Sequence, residues 1–400
     1  MQVFFSRGHL HTKEGSFMAK KMRIALLGLG TVGYGVYDFV RNREDMEIAC
    51  AMSLVVPEDV TCPIVKDIKE IWADDSIDTV VEVIGGLHPA YEWVKGSLEA
   101  GKNVITANKL LIAAHYKKLV EISLQKGVAL RCTAAAGGGI PWLTSLKRCA
   151  DQEPVIRISG IMNGTTNFIL DTMHTTGGKF EDALAEAQSL GYAEADPTDD
   201  LNGADIRRKL VISSNIAYGC VIDEKEVATE GIQHVTDADI AAAKSLGLVC
   251  KLIAASRQLK NGVAAYIEPA LVPASMPESA IPTNYNLISL TGEHIGKQSF
   301  YGQGAGRYPT AYNVLQDLVD VCGGIDRFYT NRLDETHVDN SGIYRHYYVR
   351  TKGADAWLRE RVDKTLPCGV ITEAVSVTEI HEWAAKRREI DPDCFIASLR

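Results

Sequence analysis

The stretch "LGYAEADPTDDLNGADIRRKLVI" sets Glu194, Asp196, Asp199, Asp200 and Asp205 within twelve residues and then turns basic at Arg207, Arg208 and Lys209. Acid-rich turns commonly cap helices. Carboxylates crowded beside one lysine also suit a site that holds a cationic substrate and moves a proton. If a helix begins near Gly203, Asp205 and Lys209 stand one turn apart at i, i+4 and face each other. The plainer alternative is a solvated helix pair, contributing only about 0.3–0.5 kcal/mol. Glu194 lies upstream, on a loop able to fold over the same face.

Other short motifs carry chemistry of their own. Gly28, Gly30 and Gly33 in "GLGTVG" follow an apolar run and open a helical pattern at Thr31 and Val32. That context fits a dinucleotide turn, with pyrophosphate facing free N–H groups at a helix N-terminus; the alternative is merely a tight turn. Met52, Ser53 and Leu54 stand at the end of the second strand, where an acid would mark NAD and an arginine NADP, so cofactor preference stays open. "NVITANKLLIA" puts Lys109 just after the fourth strand, at the edge where ligands bind in open α/β sheets. "AAAGGGIP", Ala134 to Pro141, offers carbonyls for a hard cation or a hinge. "IMNGTTNFIL" sets Asn163 to Asn167 at a strand-to-helix turn, as a carboxylate site or a cap. "YGQGAGRYPTA" is a second glycine-rich loop that could return the chain to the nucleotide.

The elements that must position these residues follow from patterning. From Arg23 to about residue 150, apolar β-branched runs alternate with helical ones, the rhythm of βαβ units on a parallel sheet. Beyond it, long strands around a turn at Asn261 and Gly262, with helices on one side, predict an α+β domain. The polar run "GGIDRFYTNRLDETHVDNSG" reads as a linker, and the tail scans as β-α-β-α-β. The expected organisation is a leader over 1–21, with Met18 or Met22 as the true start; a Rossmann domain over 22–150; a catalytic domain over 151–305; a helix over 306–325 returning to the first domain; and a small C-terminal α+β domain over 343–400.

Composition narrows the function classes. The 400 residues are 46% hydrophobic and 23% charged, ordinary values for a globular chain able to bury more than one core. A formal charge of -9 without a basic stripe argues against nucleic acid. No apolar run is long enough to span a membrane. Nine cysteines without a C-x-x-C pair read as reduced thiols in a cytoplasmic protein, with no zinc site. The residues alone thus reach an NAD(P)-dependent enzyme with a polar substrate.

Together, "GLGTVG", "TANK", "GGGIP", "NGTTNFIL", "LGYAEADPTDDLNGADIRRKL" and "GAGRYPTA" resemble the homoserine dehydrogenase family, in that family's order, over about residues 23 to 320. The resemblance implies reversible NAD- or NADP-dependent interconversion of L-homoserine and L-aspartate 4-semialdehyde, in a homodimer or homotetramer. It implies catalytic roles for Lys209, as proton donor, and Lys109. Substrate would meet Glu194, Asp205, Thr165 and Asp200. The nucleotide would meet Gly28, Gly30, Thr31, Val32, Gly33, Gly85, Lys109, Gly191 and Gly306. A monovalent cation, sodium, would sit on main-chain carbonyls of Thr133, Ala136, Gly138 and Ile140, although Thr133 stands where the family often has glutamate. The tail resembles a degenerate ACT regulatory unit, βαββαβ less one strand. Two rivals stand beside this reading: another amino-acid semialdehyde dehydrogenase, of which the phosphorylating kind needs a reactive cysteine that no motif here supplies, and a nucleotide-sensing regulator without catalysis.

Overall fold

The computed structural model describes residues 21–325, 327–329 and 332–400. The leader expected over 1–21 therefore lies, except for Lys21, outside the described residues. The chain begins with β1 (Met22–Leu27), α1 (Thr31–Val40), β2 (Met46–Met52), α2 (Ile68–Ala73), β3 (Thr79–Glu82), α3 (Ala90–Glu99), β4 (Asn103–Thr106), α4 (Lys109–Lys126) and β5 (Leu130–Arg131). These strands form one parallel sheet in the order β2-β1-β3-β4-β5. Its central strands β1 and β3 are buried almost throughout because both faces of the sheet are covered.

The middle of the chain comprises α5 (Trp142–Gln152), β6 (Val155–Ile161), α6 (Gly164–Thr176), α7 (Phe180–Ser189), α8 (Thr198–Leu201), α9 (Ala204–Tyr218), β7 (Ala228–Thr229), α10 (Asp237–Ser245), β8 (Leu248–Leu259), β9 (Gly262–Pro273), β10 (Tyr285–Gly292) and β11 (Gly296–Gln303). Along β8 the period of two sends Leu252 and Ala254 into the main core and Ile253 and Ala255 into smaller clusters on the other face. Then α11 (Arg307–Cys322) crosses back and lies on α1, where Val36, Tyr37 and Val40 pack with Ala311, Val314 and Leu318. A Cβ on Gly35 would come within 2.9 Å of the Ala311 Cβ, so glycine there sets how closely the two helices approach.

The tail departs from expectation in two ways. It holds β12 (Tyr344–Arg345), β13 (Tyr347–Arg350), α12 (Ala356–Arg359), β14 (Val362–Leu366), β15 (Gly369–Thr372), β16 (Val375–Ser376), α13 (Val377–Arg388) and β17 (Phe395–Leu399). It is not one strand short. "RVDK" does not extend the helix but begins β14, whose exposed Asp363 and Lys364 are the charges of an edge strand and hide its period of two. Nor is the tail a detached unit, because β17 pairs in parallel with β9. One sheet therefore runs β11-β10-β6-β8-β9-β17-β13-β15-β14, with β7 also on β9. At the seam the buried Glu268 of β9 accepts the Tyr347 hydroxyl at 3.0 Å and lies 3.2 Å from His381 Nε2. The polar segment before the tail is not a solvated linker either. Phe328 and Tyr329 are buried, Arg131 stacks on Phe328, and Asn340 bonds both main-chain groups of Ala265.

Candidate active site

A cleft of ≈ 920 Å³ opens between the parallel sheet and the catalytic layer, lined by residues from both. The starts of α1, α4, α6 and α11 contribute Thr31, Lys109, Gly164 and Thr310 to its wall. Helix N-termini present unpaired N–H groups and a positive dipole end, which favour anionic ligand groups.

One end suits a dinucleotide. The Gly28 N–H bonds to Met52 O at 2.8 Å, fixing the turn against β2. A Cβ on Gly33 would lie 1.9 Å from Gly28 O, whereas one on Gly30 would meet nothing within 4 Å. Gly33 thus allows the close packing of helix on turn, and Gly30 leaves open space before Thr31 and Val32. Ser53, at the strand tip, accepts the Leu29 N–H at 3.2 Å and donates to Val55 O at 2.8 Å. Gly85, Gly191 and Gly306 also line the cleft, with positive φ angles of 74°, 73° and 122°.

The other end gathers the charged residues. α9 begins after Gly203, which is left-handed at φ 85°, and its first two turns carry Asp205 and Lys209, both buried. Lys209 Nζ donates to Asp205 Oδ2 at 2.7 Å and to Met162 O at 2.8 Å. An ammonium has three N–H donors, so one remains for a ligand. Lys109, the first residue of α4, brings its Nζ to 2.9 Å from Asp205 Oδ1. One carboxylate therefore joins two lysines from different domains. Burial alone would raise the Asp205 pKa, but Lys209 and Lys109 hold it well below the usual carboxylate range, and Asp205 in turn raises that of Lys109. A solvated surface pair is excluded by this burial.

The remaining acids divide. Asp200 lines the cleft beside Asp205, and burial together with that neighbouring charge raises its pKa. Glu194 is exposed on the cleft rim. Thr165 Oγ1 donates to Tyr192 O at 2.6 Å, holding the loop of Gly191 over α6. Asp199 pairs with Arg208 at 2.6 Å, and Asp196 accepts both polar groups of Thr198, so the helix-supporting explanation holds for these two.

Two positioning groups stand behind these residues: Asn163, expected as a cap or part of a carboxylate site, does more than cap, and Glu82 escaped the sequence reading. Asn163 caps α6 by accepting the Thr166 N–H, while its Nδ2 donates to Asp200 at 2.6 Å and to Asp205 at 2.8 Å. Glu82, buried at the end of β3, accepts the Thr106 hydroxyl at 2.5 Å and the N–H groups of Ile84 and Gly85. Burial pushes its pKa up. Thr106 in turn accepts the Asn108 N–H, and Asn108 caps the helix that begins with Lys109. A lone acid ending an apolar strand was the available signal for Glu82.

Of the four residues expected to hold a cation, only Gly138 lines the cleft. The carbonyls of Gly138 and Ile140 both accept from Asn313 Nδ2, the latter at 2.9 Å. No cysteine lines the cleft, and burial pushes the thiols of Cys50 and Cys132 up to about 11 and about 12, which leaves the phosphorylating rival without a nucleophile.

Comparison with known proteins identifies one enzyme family. Residues 28–132 match the family model "Homoserine dehydrogenase, NAD binding domain", and residues 141–319 match "Homoserine dehydrogenase". The chain is 34% identical to a homoserine dehydrogenase of Pseudomonas aeruginosa over 370 residues, covering 90% of this chain and 85% of that one. It is 35% identical to one of Bacillus subtilis over 351 residues, covering 83% and 81%. A solved homoserine dehydrogenase from Thiobacillus denitrificans superposes with a TM-score of 0.86 at 30% identity, over 95% of this chain and 98% of that one.

Proposed function

Because the chain belongs to the homoserine dehydrogenase family, and so interconverts L-homoserine and L-aspartate 4-semialdehyde with NAD(P), we propose that Lys209 is its proton donor and Asp205 the pivot of the reaction centre. The observation that carries this reading is the single buried carboxylate shared by Lys209 and Lys109 at 2.7 and 2.9 Å. When bound, the nicotinamide supplies or accepts hydride at the substrate carbon. The chain's own residues manage the charge that results. In the reducing direction negative charge grows on the aldehyde oxygen, and the remaining N–H of Lys209 stabilises it and delivers the proton. In the oxidising direction the same group, as the neutral amine, takes the hydroxyl proton.

Lys109 anchors Asp205 from the nucleotide side and keeps the two lysines at fixed separation. Glu194 and Asp200 face the substrate ammonium, with Asp200 oriented by Asn163. Thr165 holds the covering loop, and Gly28, Gly30, Thr31, Val32, Gly33, Gly85, Gly191 and Gly306 surround the nucleotide. Supporting surroundings are cytoplasmic. No helix among the described residues is long and apolar enough to cross a membrane. The assembly is a homodimer or homotetramer, and the tail module serves regulation or assembly rather than the chemical step.

The test follows nicotinamide absorbance with NAD and with NADP, using L-homoserine and its deaminated analogue 4-hydroxybutyrate. Recognition of the ammonium by Glu194 and Asp200 predicts a kcat/KM for homoserine at least about tenfold above that for the analogue, the discrimination expected when a charge-binding site is left unpaired. Equal values would remove that role from both acids.

A further inference from the structure

The segment expected to bind sodium is engaged by a side chain instead. Asn313 lies on the inner face of α11, 2% exposed. Its Nδ2 donates to Ile140 O at 2.9 Å and, by a shorter bond, to Gly138 O. The orientation of the amide is forced, because turning it over would aim Oδ1 at two carbonyl oxygens. Two of the four expected cation ligands thus converge on one nitrogen carrying two N–H groups. A cation in contact with both carbonyls would need the place that Nδ2 fills.

The side chains around this segment supply no anionic ligand in place of those two carbonyls. Thr133 offers a neutral hydroxyl, and that hydroxyl donates to Asn313 O at 3.2 Å. Asp317, the acid that meets Thr133, is committed to Arg131 at 3.0 Å and to the Thr133 N–H at 3.0 Å. Nor does the glycine run need an ion to explain it. Gly138 has φ 56°, and a Cβ there would lie 2.4 Å from Gly304 C, so the run lets two backbone segments pack at the cleft wall.

We propose that Asn313 takes the place of the cation in this chain. Its amide ties α11 to the glycine-rich wall, and the protein needs no monovalent ion for stability or for cofactor binding. The inference rests on the family reading only for the expectation of a cation. Its readouts are independent of turnover, so it can fail while the assigned reaction stands.

The experiment measures thermal midpoint and NADPH affinity, by nicotinamide fluorescence, in sodium, potassium and choline chloride at one ionic strength. The wild type should give the same values in all three salts. Asn313→Asp replaces the donor with a carboxylate facing two carbonyls. It should lose stability in choline and regain several degrees, saturably, in sodium or potassium, as a bound ion shifts folding by mass action. A saturable sodium- or potassium-specific rise in the wild-type midpoint would overturn the proposal. So would a folded Asn313→Asp protein that is indifferent to the salt.

Discussion

Replacing Lys209 by methionine separates its chemical role from its structural one. Methionine keeps an unbranched stem of similar length and removes every N–H donor. The proton for the alkoxide then comes from water, and loss of general acid help costs roughly 10²–10⁴ in rate, about 2.7–5.5 kcal/mol in barrier. The structural cost is smaller. Asp205 keeps Lys109 and Asn163, whereas Met162 O loses the donor that Lys209 supplied at 2.8 Å. One buried carbonyl left unpaired costs about 1–3 kcal/mol of folding stability. The variant should therefore remain folded. Stopped-flow reduction of aspartate semialdehyde, with deuterated cofactor to identify conditions where hydride transfer limits, measures the first quantity, and thermal unfolding the second. Cofactor affinity should be retained, since the "GLGTVG" turn is held by β2 and α1 rather than by α9. If hydride transfer in Lys209→Met stays within about tenfold of wild type, while Lys109→Met suffers the 10²–10⁴ loss, the two lysines have been given each other's roles.

Other expectations concern separate parts of the molecule. Asp200, whose pKa is raised, should protonate at a higher pH than an ordinary aspartate. The KM for homoserine should climb on the acid side, and Asp200→Asn should flatten that limb; an unchanged limb would place the titration elsewhere. Asp205 has the opposite sign: its depressed pKa contributes stability above the unfolded value near 4 that is lost as pH falls toward the folded value, so Asp205→Asn should weaken the acid dependence of unfolding. Ser53→Arg should shift preference toward NADP through charge-assisted bonds to the extra phosphate, and unchanged relative affinities would show that the strand tip is not the ribose end. Gly33→Ala should abolish nucleotide binding, because its Cβ would stand 1.9 Å from Gly28 O; isothermal titration with NADPH reads this directly. Truncation after Gly342 should destabilise or precipitate the protein by stripping β17 from β9 and leaving Glu268 without Tyr347 and His381, and a truncated protein with an unaltered midpoint would contradict the continuous sheet.

Local periodicity made the parallel sheet readable, and the strand-turn-helix setting of Gly28 to Gly33 made its ligand readable. Spacing alone placed Asp205 and Lys209 on one face of a helix. What local pattern could not convey is who meets whom across long separations. Nothing near Phe395–Leu399 announces Ala270 and Leu271 as partners, and Lys109 and Asp205 meet from opposite walls of the cleft. The hairpin β14–β15 was obscured because an exposed edge strand carries charges on both sides of its alternation. The segment around Phe328 and Tyr329 looked polar because its apolar residues are few, yet those few are the ones buried. Asn313, and the bonds by which Asn163 reaches beyond its cap to Asp200 and Asp205, went unread for a different reason. An amide advertises no charge, and its importance lies wholly in the groups that converge on it.

The crossing of α11 onto α1 has a consequence for how the chain is made. The partner of the α1 face lies roughly 270 residues downstream, and at translation rates of about 5–20 residues per second the ribosome needs roughly 13–55 s to supply it. During that interval Val36, Tyr37 and Val40 have no covering helix, although the strands beneath them are already complete. A nascent chain stalled before residue 307 should expose this apolar face to chaperones and proteases, and one released past residue 322 should not. The nucleotide-binding unit is thus finished late in synthesis, even though nearly all of its sheet is made first.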